Sequence, residues 1–188
     1  MIAAMRKRFD PSALTIRACA EKDMRAITEI YAHHVRHSPA TFELDPPSLE
    51  EMTSRRRAIL ESGYVYLVAQ ADSVIVGYAY VTAYRSRPAY RFTVENSVYV
   101  RAGHEGRGIG QRLMRALLAE CETRPFRQMI AVIGDSANRA SIELHTRLGF
   151  RMIGTFRSVG FKFGRWLDSV LMQKELGAGD RTPPGEGA

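Results

Sequence analysis

Three segments carry side chains whose types and spacing could do chemistry. The first, His104-Glu105-Gly106-Arg107-Gly108-Ile109-Gly110-Gln111, follows a strand-like run and opens a helix-like one. Glycines let the backbone approach a ligand, and the first turn of a helix offers unpaired N–H groups at its positive dipole end. Such a turn is an anion cradle suited to a diphosphate, and Arg107 and Arg112 add positive charge to it. It has neither the Gly-Lys-Ser/Thr ending of a Walker loop nor the dinucleotide fingerprint spacing. The second segment, Thr93 to Val100, sets one carboxylate, Glu95, in the middle of an otherwise apolar strand. Alternation puts Glu95, Ser97 and Tyr99 on one face and Val94, Asn96, Val98 and Val100 on the other. Glu95 has two readings: a solvated or paired charge, or a general base beside a ligand cleft, if burial brings its pKa toward neutrality. The third segment runs from Asn138 to Phe150. Asn138 can cap a helix, Ser141 and His145 lie one turn apart, and Gly149 can end the helix in a left-handed conformation.

These segments need elements to hold them, and the hydrophobic period supplies a list in chain order. Leu14–Ala18 is a short strand, and Met24, Ile27, Ile30, Tyr31 and Val35 mark a helix from Glu21 to about Val35. His37 to Pro47 breaks that pattern with three prolines, and Ser48 caps a second helix reaching Glu61. Tyr64–Gln70 and Ser73–Tyr84 read as a hairpin, Arg85–Arg91 as a loop, and Phe92–Arg101 as the strand that bears Glu95. A helix from about Gly108 to Glu122, a strand Arg127–Ile133, a helix Asn138–Leu148 and two closing strands, Phe150–Val159 and Leu167–Leu176, complete the pattern. Residues 1–13 read as a disordered leader, 14–176 as one domain, and 177–188 as a disordered tail, since neither end can bury apolar surface.

Bulk properties narrow the function classes. The chain has 188 residues, 45% of them apolar, enough for one core and too few for two full domains. No apolar run approaches the roughly 20 residues that cross a bilayer, and Met1–Asp10 lacks the apolar stretch of a signal peptide. Cys19 and Cys121 offer neither metal nor disulfide spacing, so a cytoplasmic, reducing location is expected. His33, His34 and His37 cluster without matching carboxylates or cysteines, and no metal is expected. The formal charge of +7 is spread along the chain without an aromatic-interleaved basic patch, so neither nucleic acid nor membrane is expected as a partner.

Taken in order, the glycine-rich turn, the base-bearing strand and the Asn138…Leu148-Gly149-Phe150 helix resemble the GNAT superfamily of N-acetyltransferases. Ala40-Thr41-Phe42-Glu43, Arg85-Ser86-Arg87-Pro88-Ala89-Tyr90-Arg91 and Lys162-Phe163-Gly164-Arg165-Trp166-Leu167-Asp168 make the resemblance closer to the phosphinothricin and methionine sulfone/sulfoximine acetyltransferase branch. It spans about Thr15 to Leu176. It implies an α/β (α+β) fold: a mixed, mostly antiparallel seven-stranded sheet flanked by helices and splayed at the acetyl-CoA site, between the fourth and fifth strands.

By the same resemblance, Glu95 is the general base. Val98, Tyr99 and Val100 pair with the pantetheine arm, and a backbone N–H there polarises the thioester. Gly106, Arg107, Gly108, Ile109, Gly110 and Gln111 form the pyrophosphate loop, and Asn138 and Ser141 are later acetyl-CoA contacts. His145 stands where many members carry a tyrosine that protonates the departing thiolate; it either keeps that role or is a packed helix residue. Glu105 stands where the motif has Gln or Arg, which removes a side-chain contact and leaves the backbone cradle. Arg85, with Phe42, Pro88, Ala89 and Tyr90, is the acceptor site the branch implies, against a solvated loop as the other reading. Lys162, Arg165, Trp166 and Asp168 are expected to order the last hairpin and a homodimer contact.

Three functions stay open on sequence alone. The leading one is acetyl transfer to the α-amine of a small amino-acid analogue by a direct, ternary-complex reaction. The second is transfer to a polyamine, an aminoglycoside or a protein N-terminus. The third is a non-catalytic acyl-CoA-binding regulatory module.

Overall fold

A computed structural model describes residues 13–184. Seven strands form one sheet in the order β1-β2-β3-β4-β5-β7-β6: β1 Leu14–Ala18, β2 Tyr66–Ala71, β3 Val74–Ala83, β4 Thr93–Val100, β5 Gln128–Gly134, β6 Arg151–Lys162 and β7 Arg165–Glu175. Every neighbouring pair is antiparallel except β4 and β5. A parallel pair needs a crossover, here helix α3, Ile109–Glu122. The expected leader lies outside the described residues except for Ala13. Of the expected tail, residues 177–180 form a turn and 181–182 a bend, with Arg181 N–H bonded to the Ala178 carbonyl at 3.1 Å.

Alternation along the strands feeds two cores, one on each face of the sheet. Helix α1 (Met24–His37) lays Met24, Ile27, Ile30, Tyr31 and Val35 on Tyr66, Val68, Tyr78 and Tyr99. Helix α2 (Leu49–Glu61) joins them through Met52. On the other face α3 buries Ile109, Leu113, Met114, Leu117 and Cys121 against Leu67, Ala69, Val76, Val94 and Met129. Burying side chains of this size contributes about 1.5–3 kcal/mol each before entropy is counted.

Caps set the helix ends. Ser48 Oγ accepts from Glu51 N–H at 3.1 Å, as the sequence suggests. Helix α1 starts later than the period predicts, after a 3-10 turn at Glu21–Asp23, and runs on to His37. It stops at Ser38 because a residue before proline is pushed out of the helical region. Among the described residues no helix is long and apolar enough to cross a membrane.

Candidate active site

The sheet opens where its parallel pair ends. β4 and β5 are in register only from Thr93/Gln128 to Asn96/Ala131, and beyond that point they part. On its other edge β4 stays bonded to β3 as far as Gly77/Val100. Tyr84 N–H reaches the Thr93 carbonyl and Arg101 N–H the Val76 carbonyl, so odd-numbered amides of β4 point to β3. Those of Val98 and Val100 therefore face the gap. His34 Nε2 donates to the Val100 carbonyl at 2.9 Å and takes up one of the four polar groups there.

The gap holds a wedge lined by Asn96, Ser97, Val98, Tyr99, Asn138, Ser141 and His145, and it continues into a cleft of about 640 Å³. Val98, Val100, Gly106, Gly108, Ile109, Gly110, Gln111, Asn138 and Ser141 line that cleft, with Glu105 on its wall. Gly106 and Gly108 have φ of +72° and +76°, a left-handed turn that aims the first N–H groups of α3 inward. Gly108 is the N-cap and supplies no side-chain cap, so those donors remain for a ligand. Arg107 lies on the loop but does not line the cleft; one of its N–H groups bonds the Gly103 carbonyl at 2.9 Å. Arg112 reaches away, to the Leu14 carbonyl at 2.7 Å. The positive charge expected at the turn therefore comes mainly from backbone amides.

Glu95 stands on the opposite face from His145, one pair before the parallel ladder ends, with Ile130 as its register partner. It is half-buried, and burial raises its carboxyl above the ordinary range. Among the described residues no hydrogen bond or ion pair engages it. A carboxylate that is desolvated and unpartnered is a better base than one in water.

His145 (2% exposed) is held at both nitrogens by acceptors. Nδ1–H donates to the Ser141 carbonyl at 2.8 Å, and Nε2 lies 3.0 Å from Asn96 Oδ1. Asn96 Nδ2 donates to the Ile130 carbonyl at 3.0 Å, which fixes the amide's orientation. Only an imidazolium satisfies both contacts, whereas burial lowers its pKa. The ring is a reluctant proton carrier aimed at two acceptors. Asn96→Ala leaves Nε2 without a partner, and thermal unfolding is expected to show a loss of about 1–3 kcal/mol. Asn138 caps α4 (Arg139–Arg147), its Oδ1 accepting from Ser141 N–H at 3.3 Å, and still borders the cleft.

The expected acceptor residues fall in two places. Tyr84, Tyr90, Thr93 and Ile130 line a pocket of about 280 Å³ on the Glu95 face of the sheet. Arg85 is exposed, its guanidinium 5.1 Å from the Tyr84 ring and 5.9 Å from that of Tyr90. Pro88 and Ala89 are exposed on the 3-10 turn that carries Tyr90 and line neither space. Phe42 lies apart, over Gly160.

The last hairpin differs from expectation in one respect. Asp168 accepts from Ser136 Oγ at 2.6 Å and Ser158 N–H at 3.0 Å, Arg165 pairs with Asp135, and Trp166 packs on Phe161. Lys162 instead leaves the hairpin for the carbonyls of Ser38 and Thr41. Sequence reasoning also missed His34 and Asn96 as parts of the site. His34 follows Ile30 and Tyr31 by four and three residues, so the helical period alone placed it inward.

Residues 16–171 match the sequence profile of the Acetyltransferase (GNAT) domain. The chain is 52% identical over 172 residues to phosphinothricin N-acetyltransferase of Alcaligenes faecalis, covering 92% of this chain and 87% of that one. It is 40% identical to the L-methionine sulfoximine/L-methionine sulfone acetyltransferase of Salmonella typhimurium, over 87% of this chain and 95% of that one. Its structure is similar to that of a GNAT superfamily phosphinothricin acetyltransferase from Sinorhizobium meliloti in complex with AcCoA. The TM-score is 0.91 at 46% identity, covering 94% of this chain and 95% of that one.

Proposed function

The chain belongs to the GNAT acetyltransferase family, and on that footing we propose that it transfers acetyl from acetyl-CoA to the α-amine of a small amino-acid analogue of the phosphinothricin or methionine sulfoximine kind. One observation carries the reading: an unpartnered, half-buried carboxylate stands at the point where the sheet splays beside a glycine-turned helix N-terminus. Acetyl-CoA fits the residues present. The uncapped N–H groups of α3 suit its diphosphate, and the amides of Val98 and Val100 suit its pantetheine arm. Bound there, it supplies an activated acyl group.

Each residue then has a task. Glu95 takes a proton from the acceptor ammonium, directly or through water, and the free amine forms the new C–N bond as the C–S bond breaks. An amide of the Val98–Val100 stretch donates to the carbonyl oxygen as negative charge builds on it. Proton return to the thiolate falls to His145. The other titratable group lining the wedge is Tyr99, and burial among rings holds its phenol well above the ordinary range. Arg85, backed by Tyr84 and Tyr90, is suited to the acceptor's carboxylate or phosphinyl group. Both cysteines are free and buried, in keeping with a cytoplasmic location and with transfer that uses no thiol intermediate.

The test is kcat/KM across amines. Phosphinothricin, methionine sulfoximine and methionine sulfone should be acetylated on the α-amine, well ahead of spermidine, an aminoglycoside and a short peptide. A preference for the polyamine or the peptide would overturn the assignment.

We also infer a homodimer. β6 is an edge strand whose Phe156, Val159 and Phe161 are exposed, as is Phe163 in the turn after it, and Trp166 beside them is 62% exposed. A long apolar edge strand is a template for pairing. Phe161→Asp with Trp166→Asp is expected to convert a dimer into a monomer in sedimentation, and an unchanged mass would contradict it.

A further inference from the structure

The segment between α1 and α2 crosses the open end of the splayed sheet as a strap, held by contacts from β6, β5 and α1. Lys162, 4% exposed at the end of a strand whose other residues are exposed or half-buried, donates from Nζ to the Thr41 carbonyl at 2.8 Å and the Ser38 carbonyl at 3.1 Å. The Phe42 ring lies on Gly160, where a Cβ would come within 2.5 Å of it. The Pro39 carbonyl sits over Gly134, at the end of β5, in space that a Cβ would occupy. From the α1 side Tyr31 Oη bonds Thr41 Oγ1 at 2.9 Å.

An ammonium buried with two carbonyls is costly to place and is not needed to fill a core. Among the described residues no carboxylate forms an ion pair with it, and only the charge of Glu43 acts on it from a distance. What it does hold is specific. Ala40, between its two carbonyls, borders both the wedge beside β4 and the larger cleft. Lys162 thus fixes the lip where the two spaces meet.

We propose that Lys162, with Gly160 and Gly134 as seats, is a positioning residue of the reaction: it clamps the Ser38–Phe42 strap so that Ala40 holds the lip between the wedge and the acetyl-CoA cleft. The proposal rests on the acetyltransferase reading above. It assigns Lys162 no contact with either substrate. Loosening the strap should therefore misplace the acyl group at the lip while leaving the glycine turn itself in place. Displacement of a reacting group by about 1 Å costs on the order of 100-fold, so a partial release should cost about tenfold or more.

The experiment compares wild type with Lys162→Met and Gly160→Ala. Lys162→Met keeps the bulk and removes the donors; Gly160→Ala pushes Phe42 off its seat and leaves Lys162 intact. Both should lower kcat about tenfold or more, while acetyl-CoA affinity by calorimetry falls by much less. Chymotrypsin should cut faster after Phe42 or Leu44 in both, without a matching fall in global stability. Faster cutting with unaltered kcat would overturn the proposal. So would a parallel loss of acetyl-CoA affinity and stability, which would make Lys162 merely structural. If Lys162→Met does not fold, Gly160→Ala decides alone. A wild type that acetylates no amine removes the proposed function, and this proposal with it, whatever the proteolysis shows.

Discussion

Glu95→Gln is expected to lower kcat by about 100-fold to 10,000-fold, the range a general base contributes, while acetyl-CoA still binds. The substitution keeps the shape and removes the proton acceptor. No hydrogen bond or ion pair of Glu95 is lost with it, so unfolding should change little. The pH profile separates base from bystander. A carboxyl whose pKa is raised by burial is protonated and idle at low pH, and becomes competent as pH rises through that pKa. Wild-type kcat/KM should therefore climb on an acid limb whose midpoint lies above about 4.3, the ordinary glutamate value. In Glu95→Gln that limb should vanish, leaving the titration of the amine. Retention of the limb would assign it to another group.

Gly108→Val is the second large effect, and it acts on binding. Gly108 has φ +76°, and no atom lies within 4 Å of where its Cβ would be. The obstacle is thus the backbone conformation and not a clash. A β-branched residue held in that conformation costs about 1–3 kcal/mol, and the turn can relieve the strain by swinging the first N–H groups of α3 off target. Acetyl-CoA affinity should fall about 10-fold to 100-fold, at 1.4 kcal/mol per decade. Gly103→Val is the control. Gly103 has φ +79°, equally open space, and no place in the cleft lining, so it should lose stability and keep affinity. Equal losses of affinity in both would show that the turn is not the cradle.

The two predictions draw on features of unequal visibility in the sequence. The face of Glu95 followed from a period of two, and the left-handed turn from two glycines before an amphipathic run. Both are local, and local patterns survive folding. The point at which β4 leaves β5 has no such signature, because it depends on where a parallel register ends. The same holds for His145. Its helix spacing put it beside Ser141, but its second partner, Asn96, is 49 residues away. Lys162 is the extreme case. Its acceptors lie 121 and 124 residues off, and its neighbours in the strand point to a hairpin. Long-range hydrogen bonds from single side chains leave no periodic trace, and in the sequence only the three prolines mark the strap. Pro88 and Ala89, named with Tyr90 as one motif, separate in space because a 3-10 turn presents only its last ring to the pocket.

The proposed reaction is direct transfer from acetyl-CoA to an amine held in the same site. Its most direct test is the initial rate of thiol release from acetyl-CoA with phosphinothricin and acetyl-CoA both varied. The geometry predicts acceptor-dependent release and double-reciprocal lines that intersect, since both ligands must be present before Glu95 can act. Parallel lines, or thiol release that ignores the acceptor, would contradict it.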